Sequence, residues 1–559
     1  MMTRASLLFL LYVPWEKIDT MSPLHVELAI DGSTVTSRVS PLFVGSTLDI
    51  GFGYSLIGSP SYDLTPPRLL ILARALSPGL LRIGGSAQDK LQYEVDDGRA
   101  CPGYVEPQYP CPQQAPSTCL TLQRWHELHQ FAAEANLSLI FGLNACHGRP
   151  AADRPMDLTA TIRFLNYTAR HGLRVHAFEL GNELDGSYTG SEGVAPEALA
   201  EDLASLSDIL RSLWPERRTR PRLLAPDVVV YTGRTQANPY FDRLLSSGRV
   251  LPTALDGITF HQYPYCANPN STAGTVLERG CLAKLTTAAA ALSATGARYG
   301  LAALSGEGSN CWTGGVRNVS DVFLDAFYYA FQLSTMATHG VAAVIRQTLL
   351  GQIYQLVNAT TLHPNPSYWI ALLWRRLVGS SSLNYDAHPP LPPSAPLHVS
   401  VHCSAVTPGE VIVVAINFAS NETYDLTPGS ADVEISKQSQ ESAEDPAERR
   451  PELLDVYLLT GDVYSRRVSL NGRRLEVSGS RLPAIAPVQA RSPVRIPPAS
   501  IAFVQTVATG NRRAVEGTQT LPLRPFDRRR DRSQVTSMQA LASEAGMVRS
   551  FTSRWPACV

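Results

Sequence analysis

VHAFELGNE (Val175–Glu183) and LAALSGE (Leu301–Glu307) are two short apolar runs, and each ends on a glutamate with a glycine one or two places before it. Each is followed by a stretch with helical spacing of its apolar residues. Ala195–Leu213 follows the first, and Asp321–His339, carrying Val322, Ala326, Tyr329, Ala330 and Leu333, follows the second. Runs of the same kind recur at Pro41–Asp49, Leu80–Gly85, Leu137–Asn144, Arg222–Val228, Leu255–Tyr263 and Val341–Leu349, and Leu120–Asn136 reads as another helix. Strands that alternate with helices in this order form a parallel sheet with helical crossovers, and eight of them close into a (β/α)8 TIM barrel of the α/β class. The barrel is expected from about Pro41 to Gly379.

Outward from the barrel the pattern changes. His398–Ser404, Val411–Phe418, Leu453–Leu459, Arg474–Val477 and Ser500–Val507 are short strands separated by Pro, Gly, Ser and Asn, which reads as a C-terminal β-sandwich domain. Leu24–Ser40 shows period-two spacing and is expected to pair with that sandwich. The organisation expected is therefore residues 1–21 as a signal segment or N-terminal extension and 22–40 as strands joining the sandwich. Residues 41–385 form the barrel, 386–508 the sandwich, and 509–559 a mostly disordered tail. Lys437–Arg450 reads as a polar loop.

The 48 basic and 49 acidic residues leave a net charge of -1, so nothing in the charge balance points to nucleic acid. Nine cysteines without a C-x2-C pair fit disulfides better than zinc. The run Ala5–Val13 behind Arg4 has the length of a signal-peptide core, and no segment is long enough to span a bilayer. Asn136, Asn166, Asn270, Asn318, Asn358 and Asn421 head glycosylation triplets, which count only on the secretory route. Secretion, to the extracellular space or cell wall or into a lysosome or vacuole, is the expected location. Peripheral association with a membrane or wall is compatible with it. A monomer without metal or cofactor is expected.

Barrel enzymes carry reactive groups at the C-terminal ends of their strands. Here those positions hold Asp49, the Gly84-Gly85-Ser86 turn, Asn144, Asn182-Glu183, Asp227, His261 with Tyr263, Glu307, and Arg346-Gln347. Strands four and seven face each other across the mouth, so Glu183 and Glu307 can meet there. Two carboxyls so placed suit glycoside hydrolysis, one protonating the leaving oxygen and the other meeting the anomeric carbon. Asn182 can reach a sugar hydroxyl, and His261 and Tyr263 can donate hydrogen bonds that hold Glu307 ionised. Asp49 and Asp227 read as structural or substrate-positioning. Trp369 and Trp374 read as core rather than as sugar platforms, and Trp312 as a residue that could stack on a sugar. Spacing alone leaves a strand-terminal glutamate free to be a solvated cap.

Longer strings narrow the choice. LRIGGSAQDKLQYE (Leu81–Glu94), FGLNA (Phe141–Ala145), FELGNELDGS (Phe178–Ser187), NVSDVFLDAFYYAFQLS (Asn318–Ser334), IRQTLLGQIYQL (Ile345–Leu356) and PNPSYWIALLWRRLVG (Pro364–Gly379) together resemble the heparanase-like proteins of glycoside hydrolase family 79, the plant members most closely. The resemblance runs from about residue 40 to 380 and, more weakly, to about 508. It implies a retaining β-glucuronidase, endo or exo, with Glu183 as acid/base and Glu307 as nucleophile. The substrate would be a glycan or glucuronide whose carboxylate is held by Gly314, Gly315 and Tyr354. It also makes Tyr263 the counterpart of a tyrosine near the nucleophile, while Asp49 and Ser86 are taken as substrate-binding candidates from their places at the strand ends. A pair Cys403–Cys558 is implied as well. The chain departs from the animal enzyme at Gly51, where that enzyme has asparagine, and Gln92–Leu120 is an insertion with Cys101, Cys111 and Cys119 in place of a processed linker. A single-chain enzyme is expected. The competing readings are a glycan-binding protein that has lost the reaction, and a retaining glycosidase for a neutral sugar.

Overall fold

The computed structural model describes residues 22–49, 63–94, 111, 118–185, 193–229, 238–248, 254–264, 272, 279–309, 314–430, 453–506 and 556–558. The chain opens with β1 (Leu24–Arg38) and then lays down β2 (Val44–Asp49) and β3 (Gly79–Gly84). After a side sheet of β4 (Leu91–Tyr93) and β5 (Thr118–Leu120) come β6 (Leu137–Leu143), β7 (Ala177–Leu180), β8 (Arg222–Val229), β9 (Gly257–Gln262), β10 (Ala302–Gly308) and β11 (Ala343–Leu350). Strands β2, β3 and β6 to β11 close a barrel in chain order, with β11 pairing back onto β2. Helices intervene, among them Leu122–Ala135, Pro196–Leu213, Arg279–Tyr299 and Phe323–Thr338.

The inside of the barrel is layered. Leu80, Ile140, Ala177, Leu224, Leu304, Ala343 and Ile345 form a separate apolar cluster drawn from six of the strands around the barrel, which only the interior can bring together. Side chains two places further along a strand lie on the same face. That step leads from Leu80 to Arg82 and from Ala177 to Glu179, both fully buried. A charged layer thus rests on the apolar plug, just below the barrel mouth.

The rest of the chain forms β12 (Val378–His388), β13 (Leu397–Ser404), β14 (Val411–Asn417), β15 (Tyr424–Ser430), β16 (Leu453–Thr460), β17 (Ser469–Leu470), β18 (Arg473–Arg474), β19 (Val488–Arg491), β20 (Val494–Ile496) and β21 (Ser500–Thr506). With β1 they make one 11-stranded sheet. Val26, Leu28 and Ile30 of β1 share a core with residues of β13, β14, β16, β20 and β21, so the sheet curls over its own inner face. The outer face packs on the barrel: Ile412, Val414 and Ile416 belong to the same core as the helix Phe323–Thr338. Strands β14 and β21 are buried on both sides and accordingly read as near-continuous apolar runs. The sheet begins at Val378, earlier than the boundary expected at 385, because β12 leaves the helix Pro366–Leu377 without a linker and pairs with β1 and β13. Of the strand expected at Arg474–Val477 only Arg474 lies in a strand, β18, where it pairs with Ser469.

Cys403 is bonded to Cys558, and Cys111 to Cys146. Among the described residues no helix is long and apolar enough to cross a membrane. The signal segment, Gly51, Cys101, Asn270, Trp312, the loop Lys437–Arg450 and nearly all of the tail lie outside the described residues. So does the side chain of Asp49, whose backbone ends β2.

Candidate active site

Glu183 and Glu307 sit past the ends of β7 and on β10, with side chains 11% and 10% exposed, and they converge. One carboxylate oxygen of each, together with one nitrogen of His261, lie within 4.8 Å of one another. The backbone is bent to achieve this. Glu183 has φ 53° and Asp227 φ 56°, left-handed values that side chains rarely adopt, and the Glu183 amide donates to the Asp227 carbonyl at 2.9 Å. Asp89, in the short turn after β3, accepts from the amides of Ala145 and Asn182 at 2.8 Å each, so one buried carboxyl ties the ends of β6 and β7 together. Burial pushes Asp89 up to about 7.

Arg82 is the centre of the charged layer. Its Nε donates to Glu179 at 2.6 Å, Nη1 to Glu307 Oε2 at 2.9 Å, and Nη2 to Asn182 at 3.2 Å and to Asp227. A planar guanidinium can serve carboxylates in several directions at once, which an ammonium cannot. Burial works against charge on Asp227, but Arg82 and then His261 outweigh it and bring its carboxyl down to about 2. Glu179 moves the other way, to about 7, because burial and the anion of Asp227 exceed the pull of Arg82. A side chain at Gly306 would meet Asp227 Oδ1 at 2.6 Å, so the small residue before Glu307 leaves room for this carboxylate.

Tyr263 donates to Glu307 Oε1, as read from the sequence. His261 does not hold Glu307 as expected: its Nδ1 lies 2.7 Å from Glu183 Oε1 and its Nε2 2.9 Å from Asp227 Oδ1. The reason is register, since β9 pairs with both β8 and β10 and the ring points between Asp227 and Glu183. Burial raises the Glu183 carboxyl and the nearby Glu307 adds to the rise, while His261 opposes both without cancelling them. His261 itself is held well above the usual imidazole range, Asp227 and Glu307 overcoming its burial. With a carboxylate on each ring nitrogen and Arg82 on Glu307, the positive charge at this spot is supplied by side chains, and the group is not read as a metal centre.

Asn182 is buried beside Arg82, and Ser86 is partly exposed beyond β3. Gly314 and Gly315 have φ 89° and 92°, and a side chain on Gly315 would meet the Tyr354 ring at 2.8 Å. The Ile353 amide donates to the Gly314 carbonyl at 2.6 Å, which fastens the glycine pair beside Tyr354. Tyr354 is buried, and its phenol acts electrostatically on Tyr263, so this group adjoins the carboxyl pair. Arg346 and Gln347 serve the frame: Arg346 pairs with Asp325 at 2.5 Å and lies over the Tyr329 ring, and Gln347 accepts from Thr47. Trp369 and Trp374 are buried in the core, as expected. Strand-end reasoning missed Arg82, Glu179 and Asp89. For Arg82 and Glu179 the available signal was a charge inside an apolar strand, which must find counter-charges once buried; Asp89, in a turn, carried no such signal.

Two carboxyls this close, one of them biased toward its protonated form and the other held by an arginine and a phenol, can act as acid and nucleophile on one substrate. Residues 53–334 match the N-terminal domain of glycosyl hydrolase family 79. The chain is 30% identical to heparanase-like protein 2 of Arabidopsis thaliana over 85% of its own length and 93% of that protein's. It is 26% identical to the baicalin-β-D-glucuronidase of Scutellaria baicalensis, over 80% of its own length and 85% of that protein's. In fold it is similar to a 4-O-α-L-rhamnosyl-β-D-glucuronidase from Fusarium oxysporum, with a TM-score of 0.60 at 13% identity over 87% of this chain and 100% of that one. The chain is a glycoside hydrolase and belongs to glycosyl hydrolase family 79.

Proposed function

We propose that the protein is a retaining β-glucuronidase in which Glu183 is the acid/base and Glu307 the nucleophile. The observation that carries the reading is the approach of one carboxylate oxygen of each to within 4.8 Å. Retaining enzymes hold the two groups about 5–5.5 Å apart, whereas inverting ones leave about 6.5–9.5 Å for a water. In the first step Glu183 gives its proton to the glycosidic oxygen while Glu307 attacks the anomeric carbon, and the C–O bond to the leaving group breaks. In the second step Glu183 takes a proton from water, whose oxygen displaces Glu307 with a second inversion. Arg82 and Tyr263 each donate a hydrogen bond to Glu307, one to each carboxylate oxygen, and aim it for attack. Asn182 faces the hydroxyl next to the reacting carbon.

Glucuronide as substrate rests on the relatives that act on glucuronides and on the group Gly314, Gly315 and Tyr354. Backbone amides in left-handed glycines and a phenol can hold a carboxylate without a metal. Ser86, partly exposed just beyond β3, adds a hydroxyl on that side, and Asp49, whose backbone ends β2, is kept as a substrate-positioning candidate. The disulfides Cys111–Cys146 and Cys403–Cys558 support passage through an oxidising compartment, and hence a secreted, wall-bound or vacuolar enzyme. Hydrolysis of 4-nitrophenyl β-D-glucuronide, with the product anomer followed by NMR, tests the reading. The β-anomer should appear first, and Glu307→Gln and Glu183→Gln should each lose at least about a hundredfold in kcat. Undiminished turnover by Glu307→Gln, or an α-anomer as first product, would sink it.

A further inference from the structure

The group that the reaction outlined above leaves unassigned is the buried pair Asp227 and His261. We infer that they form a fixed-charge positioning unit that reserves Glu183 Oε1 as a permanent acceptor and leaves the catalytic proton to Oε2. The inference rests on the acid/base reading of Glu183 and deepens it.

Both ring nitrogens of His261 face carboxylates, Nε2 at 2.9 Å from Asp227 Oδ1 and Nδ1 at 2.7 Å from Glu183 Oε1. Nδ1 is hydrogen-bonded to Glu183, while Nε2 and Asp227 form a close ion pair outside hydrogen-bond geometry; a neutral imidazole can turn a proton toward only one of the two carboxylates, an imidazolium toward both. His261 and Asp227 have side chains without solvent exposure, so water cannot substitute for either partner. The charges facing the ring come from every strand around it. Asp227 lies at the end of β8, Glu183 after β7, Glu179 on β7 and Glu307 on β10, while Arg82 of β3 reaches His261 only through Asp227. Anions outnumber cations around the ring, so the imidazolium is the form the surroundings select, in keeping with the raised proton affinity noted above. The left-handed backbone at both Asp227 and Glu183, joined by their own 2.9 Å hydrogen bond, fixes the two carboxyls on opposite sides of the imidazole.

The chemical consequence follows from counting protons. If Nδ1 always carries one, Glu183 Oε1 can only accept, and any proton on Glu183 must sit on Oε2. Protonated or not, the carboxyl therefore keeps one orientation through both steps, and Oε2 alone exchanges its proton with the glycosidic oxygen and then with water. The permanent charge also lowers the proton affinity that burial and Glu307 would otherwise give Glu183, which sets the upper edge of the pH range in which the acid is ready.

His261→Gln retains a donor but removes the charge. With phenyl β-D-glucuronide, whose leaving oxygen needs the proton, the alkaline limb of kcat/KM should move upward by about one pH unit in this variant while kcat falls. A fall in kcat with the limb unmoved would overturn the inference and reduce His261 to a structural part. Wild-type enzyme labelled with [15N]histidine gives a measurement independent of the variant's folding. His129, His176 and His402 are held neutral by burial, with values of about 4, 4 and 3, so a buried imidazolium at pH 8 would stand apart. One histidine with both nitrogens protonated at pH 8 supports the unit, and none overturns it. Glu183→Gln separates the two levels: full turnover of phenyl β-D-glucuronide by that variant removes the acid/base reading itself. Impaired Glu183→Gln beside an unmoved limb in His261→Gln removes only this inference.

Discussion

Arg82 shows how much one residue can be asked to do. It is fully buried and meets three carboxylates, of which only Glu307 has any solvent contact. Removing one member of such a buried group leaves the others as uncompensated charges, which costs roughly 3–5 kcal/mol. Arg82→Met is therefore expected to lose stability of that order at pH 7, read as a lower urea midpoint at unchanged m-value. Arg82→Lys keeps the charge but cannot reach Glu179, Asp227 and Glu307 together, so it should fold better than the methionine variant and still lose most of kcat at little change in KM. Equal stability of Arg82→Met and wild type in urea would mean that the ion cluster contributes nothing to the fold. Glu179 sharpens the point. Its proton is held up to about 7, so in the methionine variant it can take up a proton and escape part of the penalty. The destabilisation should then be smaller at pH 5 than at pH 7.5.

Elements differ in how openly their sequence declares them, and the reasons are physical. The eight barrel strands were legible because each is a short apolar run between amphipathic helices, and their ends gave Glu183, Glu307, Asn182 and Tyr263. Arg82 and Glu179 were not, since strand-end logic ignores a charge two residues deeper, where it faces the barrel axis rather than the mouth. In the sheet, β12 was hidden by its polar run of serines directly after a helix, and β15 by Pro428 and Gly429, which read as a turn but lie in register with Leu28 and Ala29 of β1. The sheet also buries a polar chain no pattern would reveal. Ser334 of the helix Phe323–Thr338 meets Ser400 at 2.6 Å and His398 at 2.8 Å, and His402 lies between Ser400 at 2.9 Å and Ser382 at 3.1 Å. Burial pulls His402 from 6.5 down to about 3, so it is neutral in the fold. The unfolded chain takes up a proton that the fold refuses, and stability is lost as pH falls from about 6.5 toward 3. His402→Gln keeps an amide between the serines; it should cost on the order of 1 kcal/mol at pH 7 yet show a flatter decline between pH 6.5 and 4. Urea midpoints at the two pH values decide it, and a slope equal to wild type would count against the histidine.

At the scale of the whole molecule the barrel and the sheet are two architectures but share one core. The helix Phe323–Thr338 is buried from Phe323 to Ala337, one side against β10 and β11 and the other against β12 to β14. A helix apolar on every face belongs in an interior, so a barrel taken alone would present much of this helix to water. The chain order adds a second tie. β1, ahead of the barrel, lies between β12 and β15, which follow it, and Cys403–Cys558 fastens the C-terminal end to β13. The strand that precedes the barrel thus completes the sheet that follows it, so the sheet is finished only by pairing segments from both sides of the barrel. A chain ending at Leu377 would keep all eight barrel strands, both glutamates and the whole charged layer. It is nevertheless expected to be recovered insoluble or in the void volume on gel filtration, without glucuronidase activity. Recovery of that shortened chain as a monodisperse, cooperatively unfolding species would show that the sheet is an appendage, and that the Arg82 cluster is held by the barrel alone.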